Sequence, residues 1–291
     1  MMAAKVELKN ITLKFGKFEA LKDISLTLEA GKIHGLIGRN GAGKTSLLSL
    51  LAAFREPTQG QVEIDGEPVF ENPDKMQQVS FIYEKNYADE YEKIPALLEF
   101  PEKYRPNYDK DYADHLLKRF KLPLDKPAHK LSKGMQSALN VVIGLASRTP
   151  VTIFDEAYLG MDAPAREIFY QEILADQAEH PRAFILSTHL VSEMDYLFDN
   201  VVIIDQGRLL LNEDYETISA QGASITGAAD QVDAFVSGMK LLNEQKLGGT
   251  KSVMVYGALD EQQQLTARQQ GLEIGPVPLQ DLFIHLTEEA H

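Results

Sequence analysis

Residues 38–45 read Gly38-Arg39-Asn40-Gly41-Ala42-Gly43-Lys44-Thr45 and fit the pattern G-x-x-x-x-G-K-[ST]. Glycines at this spacing let successive backbone N–H groups turn inward around phosphate oxygens. A helix beginning near Lys44 adds its positive N-terminal end. Lys44 supplies a point charge for the β- and γ-phosphates, and Thr45 a hydroxyl for Mg²⁺. Such a loop needs a strand before it and a helix after it. Ile33-His34-Gly35-Leu36-Ile37 suits a short buried strand, and Ser46-Leu47-Leu48-Ser49-Leu50-Leu51 reads as a helix. Residues Gly38, Arg39, Asn40, Gly41, Ala42, Gly43, Lys44, Thr45 and Ser46 are therefore the candidate nucleotide-binding loop.

On the N-terminal side, Val6, Leu8, Ile11, Leu13 and Phe15 alternate as a strand does, and Ile24, Leu26 and Leu28 repeat the pattern. On the C-terminal side, Val151-Thr152-Ile153-Phe154 is an apolar strand that ends in two acids, Asp155 and Glu156. At the C-terminal end of a parallel strand, Asp155 would face the phosphate loop and could hold Mg²⁺ directly or through water. Glu156 would point at the γ-phosphate and could orient or deprotonate an attacking water. Strands alternate with helices through Val151–Ile204, which implies a mainly parallel sheet covered on both faces. Gln206-Gly207 reads as the turn of a hairpin between Val201–Ile204 and Arg208–Leu211.

Residues 85–130 break this rhythm. They are rich in Tyr, Lys, Asp and Pro, with helical periodicity over Asp111–Phe120, and read as a helical insertion. A boundary falls near residues 212–222. Beyond it the order is strand, helix, two strands, helix, strand and a final helix, the β-α-β-β-α-β order of a ferredoxin-like domain.

Composition sets the outer limits. The chain of 291 residues carries 29 Lys and Arg against 43 Asp and Glu, a formal charge of −14, which disfavours a broad basic surface for nucleic acid or anionic lipid. With no cysteine, disulfides, thiolate zinc sites and cysteine nucleophiles are excluded. The N-terminus lacks the pattern of a signal peptide, and no run of 18 apolar residues occurs, so a cytosolic chain that does not span a membrane is expected.

With these residues in place, the chain resembles the nucleotide-binding subunits of ABC transporters. Leu131-Ser132-Lys133-Gly134-Met135 is similar to the family signature, usually Leu-Ser-Gly-Gly-Gln, and Ser132 lies 23 residues before Asp155. Gly160-Met161-Asp162 resembles the D-loop, and Ser187-Thr188-His189 the switch motif, with His189 34 residues after Asp155. Val79-Ser80-Phe81-Ile82-Tyr83-Glu84 stands at the Q-loop position, with Glu84 in place of Gln. Ala157 stands where Pro is usual, Lys133 and Met135 replace Gly and Gln, and Ser137-Ala138 replaces Gln-Arg.

The resemblance covers residues 5–212. It implies an α/β P-loop NTPase cassette with an antiparallel β subdomain and a helical subdomain, over residues 1–215, with the helical insertion at about 85–150. Residues 216–291 form the small C-terminal α+β domain. It further implies an ATPase with ATP and Mg²⁺ as ligands. Lys44, Glu156 and His189 serve hydrolysis, and Thr45, Glu84 and Asp155 face the metal. Phe15 stacks on adenine, with Phe18 as fallback. Ser132, Lys133, Gly134 and Met135 reach the ATP of a second ATPase subunit, identical or different, and Asp162 belongs to the D-loop. Ser132 serves equally as a helix N-cap, and Glu84 is open to a second reading as a solvent-facing link. The tyrosines of the insertion (Tyr83, Tyr87, Tyr91, Tyr104, Tyr108, Tyr112) are open to two readings, helix packing or a docking groove for a membrane permease. The signature variant and the C-terminal extension resemble bacterial ABC-2 type exporters, on the inner face of the cell membrane and with no nucleic-acid partner. The alternative is a soluble ABC-type ATPase with a regulatory role.

Overall fold

Alternating apolar residues build the first sheet. In the computed structural model, which describes residues 4–289, β1 (Val6–Phe15) pairs antiparallel with β2 (Phe18–Leu28), Val6 opposite Leu28 and Phe15 opposite Phe18. The chain continues through β3 (Ile33–Ile37) and α1 (Lys44–Leu51) to β4 (Gln59–Ile64) and the two-residue β5 (Glu67–Pro68). The sheet order is β2-β1-β4-β5. Its inward side chains Leu8, Ile11, Ile24 and Val62 share one buried cluster with Leu47 and Leu48 of α1. The phosphate-loop helix thus rests on the antiparallel sheet.

Next come α2 (Pro73–Met76) and β6 (Val79–Ile82), then the helices α3 (Ile94–Tyr104), α4 (Lys110–Arg119) and α5 (Lys133–Ala146). Helix α3 was not legible as an element. Pro95 sits in its first turn, where no backbone donor is lost, and Pro101 lies inside it, so its sequence carries breakers that hide the helical period.

Strand–helix alternation resumes with β7 (Val151–Asp155), α6 (Ala163–Glu179), β8 (Ala183–Thr188), α7 (Val191–Met194), β9 (Asn200–Asp205) and β10 (Arg208–Asp214). The second sheet has the order β10-β9-β3-β8-β7-β6, with β9, β3, β8, β7 and β6 parallel. Strands β3, β7, β8 and β9 are buried at every residue, the pattern of a parallel sheet covered on both faces. The turn between β9 and β10 places Gln206 and Gly207 at φ 45° and 75°, the left-handed pair that a tight hairpin requires. Where the sequence reads one helix over Val191–Phe198, the chain forms a single α turn followed by a 3₁₀ turn, Asp195–Leu197.

Two compact units result. The first holds the chain up to His189 and Tyr196–Asn212; the second holds Leu190–Asp195 and the chain from Glu213 onward. In the second, α8 (Tyr215–Ser219) leads to β11 (Gly222–Ala228), α9 (Ala229–Phe235), β12 (Lys240–Leu247), β13 (Thr250–Tyr256), α10 (Glu261–Gln269), β14 (Glu273–Gly275) and α11 (Leu279–Glu289). Its antiparallel sheet has the order β12-β13-β11-β14, and Ile225, Val253 and Val255 pack with Val232 of α9 and Ala267 of α10. This is the ferredoxin-like arrangement expected from the β-α-β-β-α-β order.

Candidate active site

Parallel register sets the site. Ile37 lies opposite Thr188, and Asp155 opposite Ser187, so the ends of β3, β8 and β7 stand side by side where the phosphate loop begins. The loop backbone is held by its glycines. Gly43 has φ 110°, and a Cβ there would lie 2.9 Å from Leu21 and 3.1 Å from the Ala20 carbonyl oxygen. A larger residue is therefore excluded both by conformation and by the packing of β2.

Lys44 is buried, and its Nζ donates to the Gly38 carbonyl at 2.7 Å and the Arg39 carbonyl at 3.4 Å. The ammonium thus lies across the loop it closes. It is also 3.6 Å from Glu156 Oε1. The Thr45 hydroxyl donates to Asp155 Oδ2 at 2.8 Å, and the Ser187 hydroxyl donates to Asp155 Oδ1. Glu156 has φ 49°, unusual for a residue other than glycine, and its N–H donates to the Ser187 carbonyl at 3.3 Å. His189 Nδ1 lies 3.0 Å from Glu156 Oε1. Lys44, Thr45, Asp155, Glu156 and His189, far apart in sequence, therefore meet at one place.

Lys44, Thr45, Asp155 and Glu156 border a cleft of about 540 Å³ that is also lined by Asn40, Gly41, Gly43, Ser46, Phe18, Tyr83 and Glu84, and His189 meets it through Glu156. Arg39 is exposed at the loop, whereas Ala42 is buried beneath it and its carbonyl accepts from Gly207 N–H at 2.9 Å. Phe15 does not line this cleft. Its ring instead carries the Arg55 guanidinium 4.9 Å from the ring centroid, and Phe18, directly across the hairpin, is the aromatic that borders the cleft. Glu84 stands on the rim, exposed, with its carboxylate 3.7 Å from the Lys133 ammonium.

Of the residues similar to the signature, Lys133 lines a second cavity of about 770 Å³, together with Glu84, Ser137, Leu159 and Gly160, and Glu84 and Leu159 line both cavities. Ser132 is the N-cap of α5 and accepts from Met135 N–H at 3.3 Å, while Lys133 and Met135 are exposed. Gly134 has no room for a Cβ, which would lie 2.6 Å from the Gly160 carbonyl oxygen. Asp162 caps α6, accepting from Ala165 N–H at 3.0 Å. Two contributors were missed in the sequence. Ser187 was read only as part of the switch motif, and Tyr158 not at all, since a partner across the sheet leaves no local signal.

A glycine loop closed by a lysine, with the hydroxyl of the following helix bonded to a carboxylate at the end of a parallel strand, defines a P-loop nucleotide hydrolase. Comparison with known proteins narrows this. Residues 21–159 match the ABC transporter family. The taurine import ATP-binding protein TauB of Jannaschia sp. (strain CCS1) is 30% identical over 207 residues, 68% of this chain and 76% of that protein. The ABC transporter ATP-binding protein YtrB of Bacillus subtilis (strain 168) is 27% identical over 226 residues, 77% of each chain. The chain spans 58% of the spermidine/putrescine import ATP-binding protein PotA of Nitrosomonas europaea, at 27% identity over 71% of its own length. Among solved structures, an ATP-binding subunit of an ABC transporter superposes with a TM-score of 0.67 over 74% of this chain and 92% of that one, at 24% identity. The chain belongs to the ATP-binding subunits of ABC transporters, whose cassettes are ATPases. Among the described residues no helix is long and apolar enough to cross a membrane.

Proposed function

We propose that the cleft between the phosphate loop and the ends of β7 and β8 hydrolyses ATP to drive export through a separate membrane permease. The observation that carries this is the chain of contacts from Lys44 through Glu156 to His189 beside the glycine loop. In this reading, N–H groups of residues 38–46 and the Lys44 ammonium bind the phosphates, exchanging the loop's own carbonyls for phosphate oxygens. Glu156 orients or deprotonates the attacking water, held in place by His189. Lys44 then stabilises charge on the transferred group.

Thr45 and Asp155 fit Mg²⁺: both present oxygens, they already touch one another, and a hydroxyl with one carboxylate leaves coordination positions for phosphates. Among the described residues no cluster of three or more metal-ligating side chains exists, which suits an ion that arrives with its nucleotide. Mg²⁺, when bound, neutralises phosphate charge. Ser132, Lys133, Gly134 and Met135 at the start of α5 serve the nucleotide of a second ATPase subunit, identical or different, so that each site is completed by a dimer.

A groove of about 350 Å³, floored by Phe81, Leu97, Phe100 and Ile143 and bordered by Lys85 and Tyr83, suits docking of the permease at the inner face of the membrane. The signature variant and the ferredoxin-like extension favour an exporter, although the names of TauB and PotA refer to import. The test is purification of the tagged chain from its own cells in mild detergent. A polytopic membrane protein should copurify, and vesicles holding the complex should accumulate cargo only with ATP outside. Recovery of an active ATPase with no membrane partner would instead favour a regulatory ATPase.

A further inference from the structure

We propose that Tyr158 is a positioning residue for hydrolysis, its hydroxyl holding Thr188 so that His189 keeps its place against Glu156. The inference rests on the reading of Glu156 and His189 given above.

Tyr158 is 1% exposed in the turn that follows β7. Its hydroxyl lies 2.9 Å from Thr188 Oγ1, and Thr188 is fully buried at the last position of β8. The next residue is His189. The Tyr158 ring also stands beside the imidazole, with centroids 6.5 Å apart and planes at 42°. One buried side chain therefore restrains the histidine twice, through its chain neighbour and across its ring.

The contacts close on themselves. Glu156 and Tyr158 share one tight turn, in which Leu159 N–H donates to the Glu156 carbonyl at 3.0 Å and Met161 N–H to the Tyr158 carbonyl at 3.1 Å. From that turn the path runs through the Tyr158 hydroxyl to Thr188, to His189, and back to Glu156 Oε1 at 3.0 Å. The acid and the imidazole come from different strands. Their strand ends are joined by the backbone, with Glu156 N–H donating to the Ser187 carbonyl, but the side chains of Glu156 and His189 meet through an exposed contact, and the Tyr158–Thr188 bond adds a buried side-chain link beside it.

The same turn bears on α5. The Ser137 hydroxyl donates to the Leu159 carbonyl at 2.6 Å, and Gly134 packs against the Gly160 carbonyl too closely to admit a Cβ. Tyr158 thus sits between the helix that opens with Ser132 and the histidine beside Glu156. A shift of that helix reaches His189 through this side chain, and it acts on turnover rather than on nucleotide affinity.

The test uses the full chain with Tyr158→Phe, which keeps the ring, Thr188→Val, which keeps the shape, and the double variant. Each single change is expected to lower kcat about tenfold, as misplacement of a positioned group does. KM for ATP and the melting temperature should stay near wild type. The double variant should be no slower than the slower single, because both remove one hydrogen bond. The NMR chemical shift of the His189 ring, which stands beside Tyr158, should move in Tyr158→Phe. Wild-type kcat in Tyr158→Phe, with Glu156→Gln inactive in the same assay, overturns the inference and leaves the reading of Glu156 standing. Effects of the singles that multiply, or a fall in kcat matched by lost folding with an unmoved His189 resonance, also overturn it. Normal turnover in Glu156→Gln removes both.

Discussion

Glu84 and the two hairpin phenylalanines show how far single residues could be read. The sequence offered Glu84 as a metal-facing group or a solvent-facing link, and the structure adds a third relation, its ion pair with Lys133. That pair is too exposed to hold the carboxylate firmly, so a divalent ion at the cleft can compete for it. In the absence of metal the carboxylate repels the γ-phosphate. Glu84→Gln should therefore bind metal-free ATP several-fold more tightly and need more Mg²⁺ for half-maximal turnover; superimposable Mg²⁺ titrations of variant and wild type would refute a metal role. The phenylalanines separate in the same way. Because Phe18 borders the cleft and Phe15 holds Arg55, Phe18→Ala should raise the Kd for ATP by about fivefold or more, the low end of a base–aromatic stack. Phe15→Ala should change it less, as read by fluorescent-nucleotide titration. The family resemblance favoured Phe15 with Phe18 as fallback, and two aromatics facing each other across a two-residue turn cannot be told apart without the structure.

At the scale of elements, strand β3 carries a buried histidine that tests the packing of the parallel sheet. His34 is 1% exposed, with Nε2 2.9 Å from the Glu29 carbonyl and Nδ1 3.0 Å from Asn200 on β9. Burial holds its pKa below the usual 6.5, and the Asn200 and Glu29 contacts offset this only in part. The unfolded chain therefore takes up the proton first as pH falls. The stability this difference supplies is complete above about pH 6.5 and is lost as pH drops through the folded pKa, at a slope of at most about 1.4 kcal/mol per pH unit. Melting temperatures of wild type should fall between pH 7.5 and 5.5 more steeply than those of His34→Gln; parallel curves would exclude His34 as the cause. A second element-scale device ties the helical insertion to the sheet. Asp176 of α6 lies between the guanidinium groups of Arg148 and Arg182, both buried, and Arg148 also reaches Asp109 at the N-terminus of α4. Burial first, then the Arg148 charge, lowers the pKa of Arg182 to about 9. Asp176→Ala should cost about 3–5 kcal/mol in a denaturant titration, because two buried cations lose their counter-charge. Strands and the phosphate-loop helix were legible because their apolar period and turn residues are local. The buried ion cluster and α3 were not: the first joins residues 39 and 28 positions apart, and the second runs through two prolines.

Taken as a whole, the chain divides its labour unevenly. Every residue named in the cleft precedes Leu190, whereas the ferredoxin-like sheet contributes none of them. We expect residues 216–291 to act as an accessory domain, and a chain ending near residue 215 to bind ATP within about threefold of wild type. Its melting temperature should be lower, since Leu190–Asp195 belongs to the second compact unit and would lose those neighbours. A shortened chain that is folded yet cannot bind ATP would contradict this division. That a six-residue segment directly after His189 groups with a distant part of the chain was not legible, because its companions lie far away in sequence. Glu156 is proposed as the group that activates water in a site closed by two subunits. The most direct measurement is ATP turnover and ATP-dependent association of Glu156→Gln beside wild type. Unchanged ATP binding, hydrolysis lowered by about 10²–10⁴-fold, and accumulation of ATP-bound dimers are expected. Near-normal turnover, or loss of ATP binding with intact folding, would contradict it.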